Sequence, residues 1–367
     1  MQKIKSTIIN GHQILKNGVL VLDDAGVTID LIPEHKIDFS DYETFEGYLV
    51  PSFVNAHCHL ELSHMKNKVD EHTGLVDFVT NIQTHRNATE ETITNAMLLA
   101  ESEMINDGIV AVGDISNSSV SFSIKSKSTI YYHTFLEGIS FTSGRAQMVL
   151  DTMLELKRQA ESFSIAASVS PHAPYSVSRE LFQLMSNLKE NCYTLHHLES
   201  LAEIMFLKEK AGDFLKLYEL LNINIDAFTP EEQSATLYWL NNFEVEKLIL
   251  VHNTFLSDDA FDIIQKKIKN PYWCLCPNAN LYIENRLPNI PSLIQKGAKI
   301  CIGTDSLASN HQLSIQSEIK TIKEHFPEID TAYLLQCASI HGAEALGIEK
   351  EFGQFFIGKK NPLVFYK

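Results

Sequence analysis

From Leu49 onward the chain alternates short, nearly continuous apolar runs with longer segments in which apolar residues recur every three or four positions. The runs Leu49–Ala56, Ile109–Asp114, Thr129–Phe135, Ile165–Ser170, Tyr193–His196, Lys247–His252, Tyr272–Cys276 and Lys299–Thr304 predict strands buried on both faces. The segments Glu90–Asn106, Arg145–Ser162, Arg179–Lys189, Glu231–Asn241, Asp258–Ile268 and Leu313–His325 predict helices between them. Thr89, Thr229-Pro230 and Ser257 stand just ahead of acidic first turns and mark three helix starts. Strand runs alternating with helices in this way predict an α/β fold, a closed (β/α)8 TIM-like barrel over residues 51–350, with an open doubly wound sheet as the rival. The shorter runs Lys3–Ile9, Gly18–Leu22, Val27–Ile32 and Tyr48–Phe53 predict a small antiparallel unit. Phe352–Ile357 and Leu363–Tyr366 are β-like again and predict that residues 351–367 return to complete the unit begun by residues 1–50.

Composition narrows the chemistry. The 367 residues carry 30 Lys+Arg against 46 Asp+Glu, a formal charge of −16, which offers no electrostatic footprint for nucleic acid. No apolar run of about 18 residues exists to predict a membrane span, and polar residues interrupt the N-terminal segment too early for a secretory leader. The six cysteines are scattered through apolar runs, which predicts reduced, buried thiols and a cytoplasmic location. No Gly-rich phosphate-binding motif follows a strand. A small-molecule substrate is the expected partner; the oligomeric state, a homodimer included, is left open.

Titratable residues gather where the strand runs end, the place where barrels of this class build active sites. His57 and His59 lie two apart at the end of the first run, so both face one side and can chelate a borderline metal such as Zn²⁺ or Fe²⁺. His196 closes another run and would add a third ligand. Glu199 follows three residues later, as an acid/base group or as a first-turn cap. His197 falls on the opposite face and is expected to be a packing or a surface histidine. His252 and Asp305 close two further runs, and each alone could equally be a core histidine or a turn aspartate. Together they converge if the sheet closes, and separations of more than a hundred residues exclude a zinc-finger arrangement.

His57-x-His59, His172-Ala-Pro-Tyr-Ser, His196-x-x-Glu199, His252 and Gly-Thr-Asp305-Ser-x-Ala-Ser-Asn310 resemble, in order, the amidohydrolase superfamily. More narrowly they are similar to its cytosine, guanine and adenosine-type deaminase and chlorohydrolase branch, and His59-Leu-Glu61-Leu-Ser resembles the aminofutalosine deaminase group. The resemblance implies a barrel flanked by a small β-sandwich and one divalent metal per chain, Zn²⁺ first and Fe²⁺ second, on His57, His59, His196 and Asp305. The fourth strand run offers no lysine of the kind that bridges two metals in binuclear relatives. The activity implied is an aminohydrolase on a purine-like or other aminated heterocycle, with Glu199, His252 and Asp305 catalytic. The alternatives are a cyclic amide or chloro-heterocycle hydrolase on the same centre, or an inactive metal-bearing barrel. Glu61, His172 and Arg145 are the candidates for substrate contact, Arg145 through a substrate carboxylate.

Overall fold

The computed structural model describes all residues, 1–367. Thirteen strands run in chain order: β1 (Gln2–Asn10), β2 (Gln13–Leu22), β3 (Thr28–Ile32), β4 (Glu43–Val50), β5 (Phe53–Cys58), β6 (Ile109–Ser116), β7 (Tyr131–Gly138), β8 (Ala166–Pro171), β9 (Tyr193–His197), β10 (Lys247–His252), β11 (Asn270–Leu275), β12 (Lys299–Ile302) and β13 (Val364–Tyr366). The first four and the last form one sheet, ordered β13-β4-β1-β2-β3. The expected all-antiparallel unit is corrected to a mixed one, because β4 runs parallel to β1. Only Val364–Tyr366 of the C-terminal β-like residues enters that sheet, antiparallel to β4.

The expected strand Leu49–Ala56 is two strands. Pro51 lacks an N–H for a ladder and Ser52 takes a φ of +72°, so the chain breaks between β4 and β5. From β5 on, two parallel four-stranded sheets follow, β5-β6-β7-β8 and β9-β10-β11-β12. They meet at both edges. Thr304 N and Asp305 N donate to His57 O at 3.0 and 3.1 Å, and His196 N donates to His172 O at 2.9 Å. Asn55 clamps the first of these seams, accepting from Thr304 N (3.1 Å) and donating to Thr304 Oγ1 (2.8 Å).

Helices Glu90–Asn106, Ala146–Ser162, Arg179–Ser186, Asp258–Lys267 and Ile315–His325 lie within a few residues of their expected spans. Thr89 and Ser257 accept N–H bonds in their first turns as expected caps. The expected helix Glu231–Asn241 shrinks to Ala235–Leu240, and Thr229-Pro230 starts no helix. Residues 230–234 offer nothing apolar to bury, whereas Ala235, Tyr238, Trp239 and Leu240 do, so the helix begins where packing begins. All six cysteines are buried and free. No helix is long and apolar enough to cross a membrane.

The strands sort their side chains by alternation. Leu248 and Leu250 join the large outer core, while Ile249 and Val251, with Tyr272, Cys274, Val54 and Ala56, belong to a smaller inner cluster. Ala343, Ala345 and Leu346, of helix Ile340–Leu346, close one end of that inner cluster. At Gly303 a Cβ would stand 2.8 Å from His57 Cβ and 2.9 Å from His57 O. Gly303→Ala should therefore push β12 off β5 and cost about 1–3 kcal/mol, as overpacking does. A chemical-unfolding midpoint equal to that of the parent chain would contradict this.

Candidate metal centre

Strict alternation would send two of the key histidines the wrong way. Val54 and Ala56 face inward, so an unbroken β5 would put His57 with Phe53 on the outer side. A register shift between Asn55 and Cys58 against β6 re-aims it, as bulges do next to active sites. At the end of β10, Val251 faces inward and His252 would face out. Its φ of +72° turns the ring back toward the site, and Asp305 sits at +56°. Left-handed backbone at non-glycine residues is uncommon and costs about 1–3 kcal/mol, a cost the surrounding hydrogen bonds must offset.

The result is a tight group of donors. His59 Nε2 lies 3.1 Å from His57 Nε2, 3.3 Å from His196 Nε2 and 3.3 Å from Asp305 Oδ1. His57 Nε2 is 3.6 Å from the same Asp305 oxygen. Ligands about 2.0–2.1 Å from a tetrahedral Zn²⁺ stand about 3.3–3.4 Å from one another, so these separations fit a shared cation. The protonation pattern fits as well. His196 Nδ1 donates to His172 O at 3.0 Å, which leaves its Nε2 lone pair facing the group. His252 stands within the same cluster as His57, His196 and Asp305. Its nitrogen is also 3.6 Å from Glu199 Oε2.

The electrostatics follow from dryness. Burial pushes His59 down to about 3 and His252 down to about 4, and lowers His196 further with help from the neighbouring rings. They are therefore neutral at physiological pH, with lone pairs free to face a cation. Burial alone would raise Asp305, but the nearness of His57 and the fields of His59 and His252 overrule it and hold the carboxylate well below its usual range. Ser309 Oγ also donates to Asp305 Oδ2 at 2.5 Å.

Glu199 is turned into the cavity and is not the cap of the helix that follows it. That task falls to Ser200 and Glu203, around helix Leu201–Glu209. Ser200 Oγ accepts from Glu203 N, while the Glu203 carboxylate accepts from Leu198 N and Glu199 N at 3.2 and 2.9 Å. Burial, then Glu203 and Asp305, pushes Glu199 well above the usual carboxylate range. Tyr175 Oη donates to Glu199 Oε1 at 3.4 Å.

Of the candidates for substrate contact, the structure brings only His172 to the cavity. Its Nδ1 meets Ser176 Oγ at 2.6 Å and its ring lies against that of His196, 4.9 Å between centroids. Glu61 is corrected: its carboxylate accepts from Asn117 N (2.9 Å) and Ser118 Oγ (3.1 Å), pins the loop after β6, and does not line the cavity. Arg145 is corrected too: it is exposed at the start of helix Ala146–Ser162, away from the cavity. His197 packs edge-on against Trp239, as expected. The cavity of about 110 Å³ adds residues that sequence reading missed, among them Arg86, Asn117, Glu137 and Tyr175. Tyr175 was visible as part of His172-Ala-Pro-Tyr. Glu137 ends β7 as His196 ends near β9, so a strand-end carboxylate was the available signal.

These pKa shifts have a consequence for the metal-free chain. Histidines held below 6.5 lose stability as pH falls, since the unfolded chain takes up their protons first. Glu137, Glu203 and Glu318, pushed up to about 8 by burial, lose stability as pH rises from about 4.5 to 8, since the unfolded chain releases theirs first. Between about pH 6.5 and 8 only the second group is active, so the thermal midpoint of chelator-treated protein should fall across that window. A midpoint that climbs there would show these carboxyls to be ionised in the native state.

Residues 48–366 match the model of the amidohydrolase family. An adenosine deaminase of Helicobacter pylori is 27% identical over 354 residues, covering 89% of this chain and 84% of that protein. The crystal structure of Helicobacter pylori aminofutalosine deaminase with methylthio-coformycin superimposes with a TM-score of 0.80 at 22% identity, over 98% of this chain and 90% of that one. A zinc-bound adenosine deaminase from Xanthomonas campestris gives 0.69 at 21% identity, over 99% and 84%. The chain therefore belongs to the amidohydrolase family and is a hydrolase acting on carbon–nitrogen bonds.

Proposed function

We propose that the chain is a metal-dependent aminohydrolase that releases ammonia from the aminated purine of an adenosine-type nucleoside, built on a (β/α)8 barrel with one divalent metal. The observation that carries this reading is the pairing, in one dry cavity, of the His57–His59–His196–Asp305 group with a glutamic acid held protonated. The relatives named above, called adenosine and aminofutalosine deaminases, support the choice of a 6-aminopurine nucleoside. The absence of a lysine in β8 supports one metal over two.

A divalent cation held there supplies a nucleophile at neutral pH by lowering the pKa of water from 15.7 to about 7. The chain's own residues do the rest. Glu199, protonated because it is buried among other carboxyls, donates to the ring nitrogen beside the carbon under attack and then carries a proton to the departing amine. His252 Nδ1 donates to Asn280 Oδ1 at 3.4 Å, which leaves Nε2 to accept from the attacking water. Asn280 is held in that orientation because its amide N–H donates to Thr254 Oγ1. Asp305 stays ionised and so can hold the metal and accept a proton, while Glu199 a short distance away keeps its own. Two carboxyls thus take two roles set by their surroundings.

Glu199→Gln should keep about one metal per chain yet lower kcat by at least about 10²-fold, read as ammonia release from adenosine and 5′-substituted adenosines. Unchanged turnover would remove Glu199 from the reaction. If a panel of aminopurine nucleosides, cyclic amides and chlorinated heterocycles yields ring opening or chloride but no ammonia, the aminohydrolase reading is wrong.

A further inference from the structure

One lysine is wholly buried, and the chemistry described above has no use for it. Lys125 closes the short helix Phe122–Lys125 and pairs with Asp114 of β6, Nζ to Oδ2 at 2.6 Å, with neither side chain open to solvent. Its other two N–H donors go to Ser116 Oγ of the same strand at 2.9 Å and to Thr134 Oγ1 of β7 at 3.0 Å, so the ammonium is fully answered. Neither Asp114 nor Lys125 lines the reaction cavity. A buried pair of this kind is a poor source of stability, because desolvating two charges offsets much of their attraction and apolar residues often serve a fold as well.

What sets this pair apart is the third group it engages. Asp114 Oδ1, the oxygen that the lysine leaves free, accepts from Leu60 N at 2.8 Å. Leu60 opens the 3-10 helix Leu60–Met65 and directly follows His59, so its N–H is a donor that the helix itself cannot satisfy. His59 is the turn between β5 and that helix, and its Nε2 stands 3.1–3.3 Å from His57, His196 and Asp305. The register of β5 against β6 shifts just before this turn and brings Cys58 opposite Asp114. Each of the other expected ligands has a tie of its own. The His57 carbonyl accepts from Thr304 N and Asp305 N, the His196 ring donates to His172 O, and the Asp305 carboxylate accepts from Ser309 Oγ. For His59 the tie is the peptide that leaves it, anchored through Asp114 to a lysine bonded to both β6 and β7.

We propose that Asp114, oriented by Lys125, is the positioning residue of His59: its carboxylate fixes the peptide after the ligand and so sets where the imidazole meets a cation. The proposal rests on the metal centre of the reading above, and it concerns affinity for the ion, not a step of the reaction.

The test measures the Zn²⁺ affinity of the full, chelator-stripped chain by competition with a chromophoric chelator, together with the visible spectrum of the Co²⁺-loaded form, which reports coordination geometry. A first double variant, Asp114→Val with Lys125→Met, removes both charges and the acceptor. It should weaken Zn²⁺ binding by at least about tenfold and alter the Co²⁺ spectrum. A second, Asp114→Asn with Lys125→Met, keeps an acceptor for Leu60 N and should hold the Zn²⁺ affinity within about threefold of the parent chain. If the first variant does not fold, an ester in place of the His59–Leu60 amide decides the matter. The ester deletes that one N–H with every side chain intact, and it should weaken Zn²⁺ by the same order. Unchanged Zn²⁺ affinity and Co²⁺ spectrum in the first variant or in the ester would overturn the proposal. Equal losses in the two double variants would overturn it as well, since they would make the pair a packing element only. A parent chain that binds no Zn²⁺ sinks the metal centre and this role with it. Zinc bound without any release of ammonia sinks the aminohydrolase reading alone, and the role of Asp114 then stands or falls by the affinities.

Discussion

His59 Nε2 standing 3.1–3.3 Å from His57 Nε2, His196 Nε2 and Asp305 Oδ1, with all four side chains buried, is the constraint around which this site is built. Neutral imidazoles that close present lone pairs to one another, and an anion stands among them. Left to themselves such donors would separate or take up protons, yet burial holds the rings neutral and Asp305 stays ionised. A divalent cation at their centre would satisfy these donors at once. Much of the surrounding architecture serves that convergence. Asn55 ties Thr304 to the strand that carries His57, and the His172 carbonyl fixes both the backbone and the ring of His196.

The same dryness that makes the group costly without a cation also acts on Glu199. A carboxyl in water would be ionised at neutral pH. Here burial, and then Glu203 and Asp305 close by, push its pKa well above the usual carboxylate range. Glu203 meanwhile occupies the backbone N–H groups that would otherwise stabilise an ionised Glu199. The helix cap and the acid are thus one device, in which satisfying the cap with Glu203 frees Glu199 to face the cavity.

Much of this was legible in the sequence because buried parallel strands and their terminal residues leave plain signatures. Apolar runs that stop at or beside His57, His196, His252 and Asp305 mark the residues that the fold brings together. What alternation could not show was the direction of each side chain. His57 and His252 reach the site only through a register shift and a left-handed backbone, features that depend on neighbouring strands and carry no local motif. The same limit explains Glu61 and Arg145. Being close to the metal group or a helix start in sequence says nothing about whether a carboxylate is already spoken for by Asn117 and Ser118, or whether a guanidinium points to solvent. Arg86 lay in a helical segment without any signal, and only the fold brings it to the cavity. Likewise Thr229-Pro230 carries the chemistry of a helix start, and the helix waits for Ala235 because only there does burial repay the ordering.

The most direct measurement is anomalous diffraction from crystals of the metal-loaded protein, collected on both sides of the metal's absorption edge. One peak per chain, within bonding distance of His57 Nε2, His59 Nε2, His196 Nε2 and Asp305 Oδ1, is the result expected. A second peak, or a peak held by Glu137 and His172 instead, would contradict the single-cation centre on which the rest depends.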